Sequence, residues 1–320
     1  MLVVAAGSAY YFLIYWPAHR TPRDFAYVLS DTLEVVDTPA EVRMAVGLLR
    51  RGDRLDIAER TPHWARIRTA AGLTGWVELK SLLDSETYEA GQHLLGELSA
   101  LPPQAEGHTD GVVNLRLEPS RDAPQLSQLD EDQKLEVFGR RLVDRPAPAE
   151  ESTKLRDAWY LVRVDSRAGW VLGKFVTLDI PASLSRYAQG TNVVAWVVIR
   201  TIEDGGQQVP EYLVADRLGA QDVDFTHLRV FTWWAKHHEY VTAFVESNLK
   251  GYFPIRVASQ GGVPYFRLRL KDEDGEEYQK VYRMFDTITR VVGTVPGWES
   301  DAMPTSPEVH RRGHPKRRPE

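Results

Sequence analysis

Apolar and polar residues alternate in short runs along most of this chain. In Trp64-Ala-Arg-Ile-Arg-Thr69, the residues Trp64, Arg66 and Arg68 fall on one face and Ala65, Ile67 and Thr69 on the other. Trp159-Tyr-Leu-Val-Arg-Val164 has the same character. A period of two, broken by turn residues, predicts short antiparallel strands. One stretch departs from it. Between Asp84 and Pro103, Leu94, Leu95 and Leu98 form a helical stripe. Ser85 is the expected cap of a helix from Glu86 to about Ala100, stopped by Leu101-Pro102-Pro103.

The strand pattern occurs twice. Pro39 to Leu55 and Pro119 to Leu135 are both 16 residues. A tryptophan then opens an alternating strand, Trp64 and Trp159, and each copy closes on Gly-Trp-Val, at Gly75-Trp76-Val77 and Gly169-Trp170-Val171. Only one loop differs much: Leu55 to Trp64 is nine residues and Leu135 to Trp159 is 24. The excess, within Arg140–Asp157, is charged and Pro-rich and reads as a surface insertion. Five or six short strands in about 60 residues leave fewest exposed edges when the sheet closes into a small barrel.

A third β-rich region spans 183–298. Its strands are expected in Asn192–Thr201, around the turn at Glu203–Gly206, on both sides of Ala235–His238, and at 252–257, 265–270, 278–285 and 287–292. Seven or eight strands in a meander predict a barrel or sandwich. The expected fold class is therefore all-β: two small barrels joined by a short helix, then a β-meander domain. The expected segments are 1–25, 26–84, 85–107, 108–182, 183–298 and 299–320.

The order of motifs resembles that of bacterial SH3 (SH3b) domains. The second copy carries it best, through Asn114-Leu115-Arg116, Pro119-Ser120, Trp159 and Gly169-Trp170-Val171. The first reads Glu34-Val35-Val36 in place of Asn-Leu-Arg, but keeps Gly52-Asp53, Trp64 and Gly75-Trp76-Val77. The resemblance implies binding or scaffolding, with peptidoglycan, its peptides or an envelope protein as partner. The C-terminal region is matched to no characterised family.

The ends of the chain and its charge refine this. Leu2–Trp16 is uncharged and mostly apolar; as a helix it would span about 22 Å, against roughly 30 Å for a hydrocarbon core. It is expected to be a single N-terminal membrane anchor, or the end of one, with the soluble part periplasmic or extracellular. The net charge is −6, and the last thirteen residues carry five Lys or Arg against two Glu, so the rest of the chain is more acidic still. An acidic body argues against nucleic acid as partner. The Pro-rich basic tail is expected to be disordered. The absence of cysteine excludes thiolate catalysis, disulfides and Cys-ligated zinc.

No motif for catalysis, metal or cofactor emerges, and none is expected. His227, His237 and His238 with Asp224 supply donor atoms, but His237 and His238 are adjacent in a turn, diverge, and read as surface residues. Asp216 and Asp224 with Glu239 or Glu246 would suit glycan hydrolysis only at a fixed separation that nothing in the sequence imposes. The candidate ligand-binding residues are Trp64 and Trp159, at strand starts beside the variable loop, with Asn114, Arg116, Trp233 and Trp234. Trp76 and Trp170 are expected to pack, and Asn114 and Arg116 equally suit fixing a turn. Trp233 and Trp234 are neighbours on a strand, so only one can face a given core. The expected function is a non-enzymatic envelope protein that binds through its repeat pair. The alternatives place a cell-wall hydrolase, or a carrier of a small apolar ligand, in the C-terminal domain.

Overall fold

The computed structural model describes residues 24–145, 156–219 and 222–304. The expected anchor at 2–16, most of the insertion and the basic tail from 305 on lie outside the described residues. Among the described residues no helix is long and apolar enough to cross a membrane. The fold is all-β, with three antiparallel seven-stranded sheets. Contacts divide the chain into two compact units, one up to Gln92 with Pro124–Gln128, the other made of the rest.

The first sheet comprises β1 (Phe25–Val28), β2 (Thr32–Val36), β3 (Ala45–Arg50), β4 (Arg54–Arg60), β5 (Trp64–Arg68), β6 (Thr74–Glu78) and β7 (Leu82–Asp84), in the order β3-β2-β6-β5-β4-β1-β7. Laid flat at about 4.8 Å per strand, its outer strands would stand nearly 30 Å apart. Yet Leu49 of β3 and Leu82 of β7 pack in one cluster with Val35, Leu55, Ile67 and Val77. The sheet must therefore coil around a single core.

The helix α1 (Ser85–Ser99) follows. Its cap is Asp84 rather than Ser85. The Asp84 carboxylate accepts from the Thr87 backbone N–H at 2.8 Å and from its hydroxyl at 2.7 Å, and the backbone bond holds its pKa below the usual carboxylate value. Tyr88, in the first half, stacks on Tyr27 at 3.7 Å. In the second half, Leu98 is buried against Phe138 and Ala168.

The second sheet comprises β8 (Ala105–Thr109), β9 (Val113–Arg116), β10 (Gln125–Leu129), β11 (Lys134–Asp144), β12 (Arg156–Val164), β13 (Arg167–Leu172) and β14 (Val176–Leu178). Its order, β10-β9-β13-β12-β11-β8-β14, is that of the first sheet with every strand advanced by seven. The irregularities repeat as well. A bulge lies between Ile57 and Glu59 in β4 and between Val137 and Gly139 in β11, at matching positions in the two copies.

The Gly-Trp-Val tripeptide has a packing cause. A Cβ on Gly75 would sit 2.5 Å from the Val35 side chain and 2.7 Å from the Val36 carbonyl oxygen. On Gly169 it would sit 2.7 Å from the Arg116 carbonyl oxygen and 2.8 Å from the Leu115 side chain. Only glycine lets these strands approach so closely. The following tryptophans, Trp76 and Trp170, are half-buried, and Val77 and Val171 are wholly buried.

The third sheet is a plain meander of β15 (Val193–Asp204), β16 (Gln207–Asp216), β17 (Phe225–Trp234), β18 (Glu239–Gln260), β19 (Val263–Lys271), β20 (Glu277–Phe285) and β21 (Ile288–Pro296). Two strands expected in the sequence are here one, β18. Its first part pairs with β17 as far as Gly251, and from Gly251 onward it pairs with β19. At this change of partner the Phe225 ring occupies the space a side chain at position 251 would need, 2.1 Å from where its Cβ would stand. Val197, Leu213, Phe225, Leu228, Ile255, Phe266, Leu268 and Tyr282 fill one core. That core is filled by side chains, which disfavours an apolar-ligand carrier; Phe231 and Trp196 are buried as well, but outside this cluster, with Phe231 packed on Tyr187.

Within the second unit, Gln104 joins the second and third sheets. Its backbone N–H donates to Val137 of β11 at 2.6 Å, and its carbonyl accepts from Trp196 of β15 at 2.8 Å. Its side-chain oxygen accepts from the Ile255 N–H at 2.6 Å, and its amide donates to the Ile255 and Pro102 carbonyls, both at 3.1 Å. Nearby, the buried Arg140 of β11 reaches Asp224 at 3.4 Å.

Candidate recognition surface

The first repeat presents Trp64 at the opening of β5. Trp64 donates its backbone N–H to the Thr61 hydroxyl at 3.1 Å, and the Thr61 N–H donates to the Trp64 carbonyl at 2.8 Å. The strand start is therefore fixed. Trp64 lies opposite Glu78 and, with Pro62, His63, Leu79 and Lys80, lines a cleft of about 480 Å³. The Arg43 guanidinium stands over the indole, 5.0 Å from its centroid. This contact connects the cleft to the 37–44 loop and to β3, an edge strand. There Val42, Met44, Val46 and Leu48 recur at every second position, all exposed, with Val42 at 89% and Met44 at 70%. A row of exposed apolar side chains beside an aromatic cleft is a surface suited to a partner.

The second repeat offers no such surface at its matching tryptophan. Trp159, a candidate ligand-binding residue in the sequence, is only 3% exposed. The strands around the two tryptophans also differ. In the first copy the β4–β5 ladder ends at Arg60↔Ala65, just before Trp64. In the second, β11 and β12 remain paired beyond the matching rung, Arg140↔Tyr160, through Arg141↔Trp159 to Asp144↔Arg156. Trp159 is thus placed within a strand and flanked by Arg141 and Leu172. Arg116 fixes a turn, donating to the Ala123 carbonyl at 2.6 Å. Asn114, two residues before it, is half-buried on β9 of the second sheet.

In the third sheet Trp233 and Trp234 point apart, as strand neighbours must. Trp234 is exposed, with its ring 3.8 Å from His237. Trp233 turns into a pocket of about 470 Å³ with Asp204, His238 and Tyr240. Its indole N–H donates to Asp204 at 2.7 Å, and its backbone N–H donates to Glu211 at 3.1 Å. Asp204 and Tyr240 were not singled out by the sequence. Asp204 reads there only as the approach to a Gly-Gly turn, and only strand register brings it to Trp233.

The other polar residues are dispersed and engaged. Asp216 is fully buried and accepts two bonds from Arg229, at 2.7 and 2.8 Å. His227 is half-buried on β17, 3.4 Å from Asp216, rather than in a surface turn. His237 and His238 occupy the turn, and Asp224 bonds Arg140 and the Phe253 N–H. Burial pushes the Asp224 carboxyl up to about 6. Glu239 lies 3.8 Å from Arg186, and Glu246 binds Lys280 and accepts from the Tyr282 hydroxyl at 2.7 Å. Among the described residues no three of His, Asp and Glu converge as metal ligands would. A larger cleft of about 820 Å³ beside α1 carries charges of both signs, including Arg163 and Glu136 paired at 2.6 Å.

No protein-family model matches this chain. No curated protein matches it. Among solved structures, the NlpC2 protein of Trichomonas vaginalis is 10% identical over 87% of this chain and 99% of its own, with a TM-score of 0.18. NlpC1 of the same organism is 10% identical over 88% and 95%, with a TM-score of 0.19. An NlpC/P60 family protein from Bacillus cereus is 10% identical over 70% and 94%, with a TM-score of 0.22. At these scores the likeness carries no inference about this chain's chemistry.

Proposed function

We propose that this chain is a non-enzymatic protein of the bacterial cell envelope, anchored by residues 2–16 and acting through a tandem pair of SH3-like modules. The first module supplies the recognition surface, and its partner is an extended wall peptide or a segment of an envelope protein. One observation carries this reading: the rigid Trp64 cleft beside the exposed row Val42, Met44, Val46 and Leu48. An extended partner can lay apolar side chains on such a surface and keep its backbone at the edge of β3. Binding rather than catalysis also suits the third sheet, where the buried carboxylates Glu211, Asp216 and Asp224 are each engaged by an arginine.

The test is sedimentation of the full chain with purified cell-wall sacculi, followed by assay of the supernatant for released wall fragments. Retention without release is expected. Loss of retention overturns the wall as partner, and released fragments overturn the non-enzymatic reading in favour of a hydrolase.

A further inference from the structure

The pocket at Trp233 is built for a ligand unlike the partner of the Trp64 cleft. It opens where two neighbouring hairpins end, β15–β16 at Gly205-Gly206 and β17–β18 at His238. Trp233 and Tyr240 line it beside the His238 ring, and the side-chain polar atoms of both are already bonded. The Trp233 indole N–H is bound to Asp204, and the Tyr240 hydroxyl donates to the Pro210 carbonyl at 2.7 Å. Tyr240 is 8% exposed and meets Trp233 edge-on, with centroids 5.0 Å apart and planes at 71°. Tyr240 therefore buttresses Trp233, whose one side-chain polar atom is already bonded, so that what it offers the pocket is its ring.

The rim is of the opposite character. Gln207 and Gln208 bring amides that both donate and accept, and Asp204 keeps a second carboxylate oxygen beyond the one bound to Trp233 and His238. A ligand matching this pocket has an apolar face for the indole and a fringe of groups that donate and accept at its edge. A pyranose ring has both, with axial C–H groups on one face and hydroxyls around the perimeter. A cation fits less well: Asp204 is the one carboxylate in the lining, and it is already hydrogen-bonded by the indole. The cavity of about 470 Å³ falls within the range of small-molecule sites.

We propose that this pocket binds carbohydrate, with one pyranose ring stacked on Trp233 and its hydroxyls held by Asp204, Gln207 and Gln208. The site is independent of Trp64 and of the partner proposed there.

The full chain is applied to a broad glycan array, and the glycans retained are titrated calorimetrically. Saturable binding of at least one glycan is expected. Gln208→Ala, at an exposed position, should weaken it severalfold, and Trp233→Ala by about tenfold or more. Trp233→Phe should retain part of the affinity, and Trp64→Ala should leave it intact. Failure to bind any glycan, or binding indifferent to both Trp233→Ala and Gln208→Ala, overturns the proposal. So does competition by tetramethylammonium, which would make the pocket a cation site. Far-UV circular dichroism establishes that each variant is folded, and Gln208→Ala decides the matter if Trp233→Ala is not.

Discussion

Replacing Gln104 by leucine tests how the second unit is held together. Gln104 has no exposed surface, and its side chain makes three hydrogen bonds, two of them to the buried Ile255. Leucine preserves most of the volume but leaves the Ile255 N–H and carbonyl without these partners. Each unsatisfied buried group costs about 1–3 kcal/mol, so the variant should lose about 4 kcal/mol. The backbone bonds of residue 104 to Val137 and Trp196 remain. The loss therefore measures the side chain alone. Urea denaturation of the full chain, followed by tryptophan fluorescence, gives the magnitude, and hydrogen exchange at the Ile255 amide locates it. Gln104→Leu should speed exchange there far more than in the first sheet. A variant within about 1 kcal/mol of wild type, with Ile255 still protected, would refute this account of the join.

Three further outcomes follow from the same structure. Trp159→Ala should destabilise the protein by about 3–5 kcal/mol in chemical denaturation, as for a buried aromatic, and Trp64→Ala should cost clearly less. Gly75→Ala and Gly169→Ala should each cost about 1–3 kcal/mol or more in thermal unfolding, because the new Cβ meets a backbone oxygen at 2.7 Å. Asp224 gives a pH dependence of defined sign. Its carboxyl is raised from 3.8 to about 6 in the folded protein, so between those values the native state holds the proton more tightly than the unfolded state. Its contribution is fully favourable below about pH 4 and is lost as pH rises through 6, a change of about 3 kcal/mol. Asp224→Asn should remove that fall when stability is measured at pH 4 and pH 7, and an unchanged difference between the two pH values would contradict the assignment.

Much of the fold is legible in the chain because it rests on local pattern. Period-two runs such as Trp64–Thr69 become strands, and the equal 16-residue spacings reappear as one strand order used twice. Gly75 and Gly169 are recognisable as a pair, although what they make room for is visible only in the packing. What escapes depends on long-range register. Trp64 and Trp159 occupy matching places in sequence, but nothing local tells how far the inserted residues continue to pair, or that Trp159 is buried where Trp64 is not. Gln104 reads as the end of a linker, and its role arises from partners 92 and 151 residues away at Trp196 and Ile255. The cap shifts from Ser85 to Asp84 because either residue suits the position and the Thr87 contacts select one. At the Trp233 pocket, alternation already separates Trp233 from Trp234, but Asp204 joins only through pairing across three strands.

The central claim is that the first repeat recognises its partner through Trp64. Its most direct test is calorimetric titration of the full chain with soluble, sugar-free stem peptides from cell wall, since sugar-free peptides bypass the Trp233 pocket. The account predicts saturable binding that Trp64→Ala weakens by about tenfold, while Trp233→Ala leaves it unchanged. Binding that survives Trp64→Ala intact would contradict it, as would wild-type protein that binds neither these peptides nor an envelope protein captured by photocrosslinking from a probe placed at residue 44.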